Sequence, residues 1–249
     1  MKKVLILVMC LMMVAAFMLT GCAKTDTPPA GETASSVKSD APPADTSAEG
    51  KEPYTIVIMP KLVGIPYFEA CGAGAKKAGE DLGVNVIYDG PTDADATAQA
   101  KMLEDYISQG VDAICVAPND PASVTSVLKR AREAGIAVLD WDTTADPSVI
   151  DFSVHQIEDK VFAEWIFQTL VDAMGKTEGE YAIITGALEA ANLNTWNDYG
   201  IAYMEEKYPN LKLVTDPVPS NEKQQEAYAR ALELIVTYPN LDGIIGMST

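Results

Sequence analysis

Between residues 54 and 91 the chain reads as a strand, a polar loop, a helix and a second strand, and the rest of the sequence repeats that pattern. The first run, residues 54–59, is short, continuous and rich in β-branched side chains, as a strand buried on both faces must be. Pro60 closes it, because proline has no N–H to give to a sheet ladder. Pro66 suits the first turn of a helix, where the missing N–H costs little. Gly83 suits the end of that helix, and residues 84–88 supply the second apolar strand. In such a βαβ unit the loop 60–68 lies at the carboxyl end of the first strand, the edge at which open α/β sheets bind ligands. Lys61, the loop's one cation, and the adjacent aromatics Tyr67 and Phe68 fit a small polar molecule.

The alternation continues. Apolar spacing predicts helices over residues 95–109, 121–134, 159–174, 192–208 and 222–238. Continuous apolar runs predict strands at 111–117, 136–141, 181–185, 211–214 and 241–246, with a short one at 149–154. Strand, polar loop, helix and glycine stop in that order define an α/β fold with parallel sheets flanked by helices. The pattern loosens after Pro147 and restarts near Gly179, so two Rossmann-like lobes are expected, an N-terminal one at 54–176 and a partial C-terminal one at 177–249, with a ligand cleft between them. The last strand has no helix after it, and a buried strand needs cover on both faces. The second lobe is therefore expected to be incomplete, as if the chain were C-terminally truncated.

Residues 1–22 carry a basic start, an apolar run shorter than the ~20 residues of a membrane span, and the sequence Leu19-Thr20-Gly21-Cys22. This resembles the signal and lipobox of a bacterial lipoprotein, with Cys22 as the lipidated residue and an extracytoplasmic, membrane-anchored location as the consequence. Residues 23–53 are mostly Ala, Thr, Ser, Pro, Asp, Glu and Gly with almost nothing to bury, the composition of a disordered tether. A net charge of -18 argues against nucleic acid as a partner. Of the four cysteines, Cys10 lies in the signal and Cys22 is the anchor. Cys71 and Cys115 fall in a helix and an apolar strand, as small buried hydrophobes rather than a disulfide. No zinc-type spacing appears, and neither a metal nor a cofactor is expected.

Four stretches together resemble the periplasmic-binding-protein-type (type 1) substrate-binding lipoproteins of sugar ABC importers, and within them the rhamnose-binding and autoinducer-2-binding group. They are Pro60-Lys61-Leu62-Val63-Gly64 with Tyr67-Phe68, Tyr88-Asp89-Gly90-Pro91-Thr92, Trp141-Asp142, and Asn192-Leu193-Asn194-Thr195-Trp196. The resemblance implies a monomer that closes two lobes on one sugar and hands it to a membrane permease. It implies that Lys61 donates to ligand oxygens, that Asp142 accepts from ligand hydroxyls, that Tyr67, Phe68 and Trp196 are aromatic walls, and that Asn192 is a polar contact. Autoinducer-2 binders carry an Asp-Gln pair where this chain has Asn192 and Leu193, and a proline and an alanine where it has Met247 and Thr249. Rhamnose or another monosaccharide is the ligand that these departures favour, with Met247 lining the site.

Read from the residues alone, Asn192 also fits an N-cap, Lys61 a solvated lysine, Asp142 a loop brace, and Tyr67 with Phe68 plain core. Asn119 and Asp120, between two prolines, fit turn formers better than ligands. An enzyme is not expected: His155 is the one histidine, no nucleophile–base set is evident, and Gly72-Ala73-Gly74 lies within a helix rather than a phosphate loop. A LacI-type repressor shares the fold class, but here a signal and tether stand in place of a basic headpiece. A receptor reporting to a sensor kinase or chemoreceptor would bind its ligand in the same way.

Overall fold

Residues 52–248 are described by a computed structural model of the protein. The signal segment with Cys22, nearly all of the expected tether and Thr249 lie outside the described residues.

The first half runs β1 (Thr55–Met59), α1 (Pro66–Leu82), β2 (Asn85–Tyr88), α2 (Ala96–Gln109), β3 (Ala113–Val116), α3 (Pro121–Glu133), β4 (Ala137–Trp141), a 3-10 turn (Pro147–Val149) and β5 (Phe152–Val154). Its five strands are all parallel in the order β2-β1-β3-β4-β5. The local signals act as the sequence predicts. Pro66 sits in the first turn of α1, and Gly83 and Gly110 end α1 and α2 in the left-handed conformation, at φ 67° and 73°. Asp95 and Asp120 cap α2 and α3, each accepting from two backbone amides of the first turn. Val57, Met59, Ile114, Val116 and Val138 from the sheet pack with Leu103, Val124 and Leu128 from the helices into one core.

The second half runs α4 (Asp159–Met174), β6 (Glu178–Thr185), α5 (Ala191–Lys207), β7 (Asn210–Leu213), β8 (Val218–Pro219), α6 (Gln224–Thr237) and β9 (Leu241–Gly246). β6 is the hub of this sheet and pairs in parallel with β7, β8 and β9. Its core joins Tyr181 and Ile183 of β6 to Phe167 of α4 and to Leu193 and Met204 of α5. Helix α4, which a boundary at 176 assigns to the first lobe, thus packs its buried face on the second sheet. Gly200 allows α5 to approach it closely: a Cβ there would lie 2.0 Å from the Phe167 ring.

Three details depart from the spacing-based reading. The run at 149–154 divides into the 3-10 turn and a three-residue β5 whose side chains are all exposed. A short strand, β8, forms where none is expected. Helix α6 begins at Gln224 rather than at residue 222, because Asn221 and Glu222 take left-handed backbone angles, φ 52° and 59°. Among the described residues no helix is long and apolar enough to cross a membrane, and no group of side chains could hold a metal.

Candidate functional site

The strand order 2-1-3-4-5 has its switch point between β1 and β3, where the chain turns from building one side of the sheet to building the other. The loop carrying Lys61 leaves β1 at that point. Gln99, fully buried on α2, fixes the loop: its Nε2 donates to the Pro60 carbonyl (3.0 Å) and the Ala117 carbonyl (2.8 Å), while its Oε1 accepts from the Asn119 amide (2.8 Å). Asn119 in turn donates from Nδ2 to the Lys61 carbonyl (2.7 Å). Asn119 is thus a buried brace of the Lys61 backbone, and Asp120 a helix cap.

Asp142 follows β4 and takes φ 62°, the left-handed region that an aspartate tolerates better than most residues. Buried Asp140 anchors this turn by accepting from the Ala145 amide (2.7 Å) and from the Ser153 hydroxyl of β5.

From the second half, Asn192 enters at the start of α5. Ala190 is the N-cap, so Asn192 lies inside the first turn and does not cap the helix. Its side chain points to the first half instead. Lys61 Nζ donates to Asn192 Oδ1 at 2.6 Å and lies 3.4 Å from Asp142 Oδ2, and Asn192 Nδ2 donates to Asp142 Oδ2 at 3.4 Å. Tyr67 Oη (3.0 Å) and Gln156 Nε2 (3.2 Å) both donate to Asp142 Oδ1. Lys61, Asp142 and Asn192 are all buried, at 4%, 8% and 8% exposure. A charge so enclosed persists only with a partner. Burial pulls the Lys61 ammonium below the ordinary lysine range, against the attraction of Asp142 and Glu222. Burial pushes the Tyr67 phenol up, and the Asp142 carboxylate adds to the shift.

Of the residues named from sequence, Lys61, Tyr67, Asp142 and Asn192 meet in this cluster. Phe68 is buried beneath it with Leu62 and Ala117, edge-on to Tyr67 (ring centroids 5.0 Å) and to Trp141 (5.6 Å). Trp196 gives its indole N–H to Asp159 at 2.7 Å and stacks edge-on against Phe162 at 4.7 Å. Met247 is buried in the second core, its amide bonded to the Ile184 carbonyl of β6. Cys71 and Cys115 are half-buried free thiols, and burial holds the Cys115 thiol at about 11. His155 is exposed and lies near Thr144.

Two members were not singled out from sequence. Gln156 follows an exposed strand and has no motif. Glu222 reads as a helix start, yet its carboxyl turns inward within the fields of Lys61 and Asp142 and in reach of the Ala187 amide and the Ser248 hydroxyl. Burial raises its pKa above the usual glutamate range, against the lowering effect of Lys61. Beside the cluster an open groove of about 590 Å³ is lined by Asp93 and Asn119 of the first half and by Ala187 and Lys223 of the second.

Two all-parallel α/β halves of this order define the fold class of the type 1 periplasmic binding proteins. Residues 56–249 match the family described as periplasmic binding protein domain, and the chain belongs to that family. The family is one of extracytoplasmic solute-binding proteins rather than enzymes.

LsrB of Clostridium saccharobutylicum, solved in complex with AI-2, is 30% identical with a TM-score of 0.73 over 77% of this chain and 61% of its own. An ABC transporter solute-binding protein of Clostridium phytofermentas with bound L-rhamnose is 27% identical with a TM-score of 0.74, covering 78% of this chain and 60% of its own. The ribose import binding protein RbsB of Bacillus subtilis is 27% identical over 108 residues, 43% of this chain and 34% of that protein. The chain thus spans about a third of the length of that relative and about three fifths of the two solved structures.

Proposed function

We propose that this protein is an extracytoplasmic lipoprotein, anchored through Cys22 and a flexible tether, that captures a monosaccharide between its two halves and delivers it to an ABC permease. The observation that carries the reading is the direct bond from Lys61 of the first half to Asn192 of the second, with Asp142 beside both. A sugar presents polar edges and apolar C–H faces. Lys61 would donate to its ring or hydroxyl oxygens, and Asp142 would accept from its hydroxyls in charge-assisted bonds. Tyr67 would cover a C–H face, with Phe68 beneath it. Trp196 and Met247 would act from the second half. The ligand would take over the Lys61–Asn192 and Asn192–Asp142 bonds, so that closure and capture are one event. Ligand binding to both halves at once shifts the population to the closed form, which the permease would recognise. The changeover between lobes would fall between β5 and α4, since α4 packs on the second sheet.

Autoinducer-2 is the second reading, on the strength of the likeness to LsrB. Against it, Leu193 is buried in the second core and offers no polar group to a ligand. A thermal-shift screen of the lipid-free mature protein against L-rhamnose, other monosaccharides and autoinducer-2 tests the choice, because a ligand that binds only the folded state raises the melting temperature. A shift with one sugar is expected. A shift with autoinducer-2 alone would replace the sugar reading, and no shift with any of them would overturn it.

A further inference from the structure

The turn Ser220 to Lys223 brings two opposite charges to the first half side by side. Lys223 pairs with Asp93 at 3.3 Å on the exposed rim of the groove. Glu222, one residue earlier, turns inward. Its backbone is held left-handed at φ 59°, and the turn is tied down by the Lys223 amide on the Ser220 carbonyl (3.0 Å) and the Asn221 amide on the Gly186 carbonyl (3.3 Å). The carboxyl lies over the bare Cα of Gly186 at the end of β6, where a Cβ would fall 1.9 Å from Glu222 Oε1. It lies in hydrogen-bond reach of the Ala187 amide after β6 and the Ser248 hydroxyl after β9, and within the electrostatic fields of Lys61 and Asp142 from the first half. A carboxylate aimed inward on a left-handed, non-glycine residue is a strained arrangement of the kind that concentrates at ligand sites.

The formal charges that act on one another here are one cation, Lys61, and two carboxylates, Asp142 and Glu222. An uncharged ligand rich in hydroxyl donors suits both carboxylates. An anionic ligand would compete with them for Lys61 and face Glu222 at close range, in a setting where like charges repel strongly. We propose that Glu222 is a specificity-determining wall of the site, admitting uncharged polyhydroxylated ligands and rejecting their carboxylate and phosphate counterparts. This rests on the sugar-binding reading and adds to it the residue that excludes acids.

The test is calorimetric titration of the lipid-free full chain and its Glu222→Gln and Glu222→Asp variants, with neutral monosaccharides and the matching aldonic and uronic acids. The wild type is expected to bind a neutral sugar and to show no heat with the acids. In Glu222→Gln, the preference for neutral sugar over acid is expected to fall by about tenfold or more. Glu222→Asp, which keeps the charge, is expected to retain the exclusion, a readout that a purely structural role for the residue would not move. Unchanged selectivity in Glu222→Gln, or wild-type binding of acids as tightly as neutral sugars, overturns the inference while the sugar reading stands. A wild type that binds no sugar, neutral or acidic, overturns both.

Discussion

Lys61 Nζ donates to Asn192 Oδ1 at 2.6 Å, a bond between residues 131 positions apart that joins the carboxyl edge of the first sheet to the start of a helix on the second. Its donor is almost wholly buried, so the ammonium depends on Asn192, Asp142 and Glu222 for what water would otherwise supply. Replacing Lys61 by Met keeps most of the volume and removes the charge. Two carboxyls, Asp142 and Glu222, are then left in each other's field without a cation. Breaking a buried pair by removing one partner costs about 3–5 kcal/mol. Lys61→Met is expected to lose about that much stability in urea denaturation and to abolish the ligand-induced thermal shift. A variant as stable as the wild type would mean that Lys61 carries no charge in the folded protein.

Asp142 joins two roles that a single alanine substitution would confuse. Its carboxylate accepts from Tyr67, Gln156 and Asn192, and its backbone is left-handed. Asparagine tolerates that backbone about as well as aspartate, but it removes the charge and turns one of the two accepting oxygens into a donor amide. A hydrogen bond to a charged group contributes about 1.5–3 kcal/mol. Asp142→Asn is therefore expected to weaken ligand affinity by about tenfold or more and to lower stability as well, since buried Lys61 loses its carboxylate partner. Calorimetry on a variant shown to be folded decides it, and an unchanged affinity removes Asp142 from the site.

Glu222 gives a pH dependence whose sign follows from its raised pKa. A carboxyl that is harder to ionise when folded than when unfolded favours the folded state below the ordinary glutamate range, about 4.3. That contribution is lost as pH rises through the folded value. Glutamine at this position has no charge to bury. Glu222→Gln is thus expected to melt higher than the wild type at pH 7 and nearly level with it at pH 4. An equal gap at both pH values would show that ionisation of Glu222 is not the cause.

Much of this was legible in the sequence because the same physical signals act locally and globally. The apolar run before Pro60, the proline at the first turn of α1, the aspartate caps and the glycine stops each fix an element without knowledge of the rest. The loop that carries Lys61 follows from strand order alone. Other features needed the tertiary fold. Whether Asn192 caps a helix or reaches across 131 positions is decided by where α5 begins, one residue before it. Glu222 looked like a helix start because helical spacing cannot register two left-handed residues in succession. The assignment of α4 is likewise a matter of which sheet its Phe167 face meets, and both sheets offered an apolar surface.

The rim pair Asp93–Lys223 joins the same two halves as the Lys61 cluster but in a different medium. Its side chains are 63% and 51% exposed. Exposed pairs contribute about 0–1 kcal/mol and are screened by salt. Lys223→Ala is expected to change affinity by less than about threefold, with the difference vanishing in ~1 M salt. A larger loss that survives high salt would place Lys223 in contact with the ligand.

A close helix contact in the second half gives a prediction about stability alone. Gly200 of α5 faces Phe167 of α4, and an added Cβ would lie 2.0, 2.2 and 2.5 Å from three ring carbons. Phe167 is fully buried and held edge-on to Tyr181, with ring centroids 6.4 Å apart, so the ring has nowhere to move. Alanine would gain about 0.5–1 kcal/mol of intrinsic helix preference over glycine. Overpacking of a filled core costs about 1–3 kcal/mol, and more where backbone must shift. The steric effect should win. Gly200→Ala is expected to destabilise the protein in urea denaturation, and Phe167→Leu in the same chain should recover part of the loss, a coupling that a double-mutant cycle isolates. Additive effects of the two substitutions would mean that the ring and the glycine do not meet.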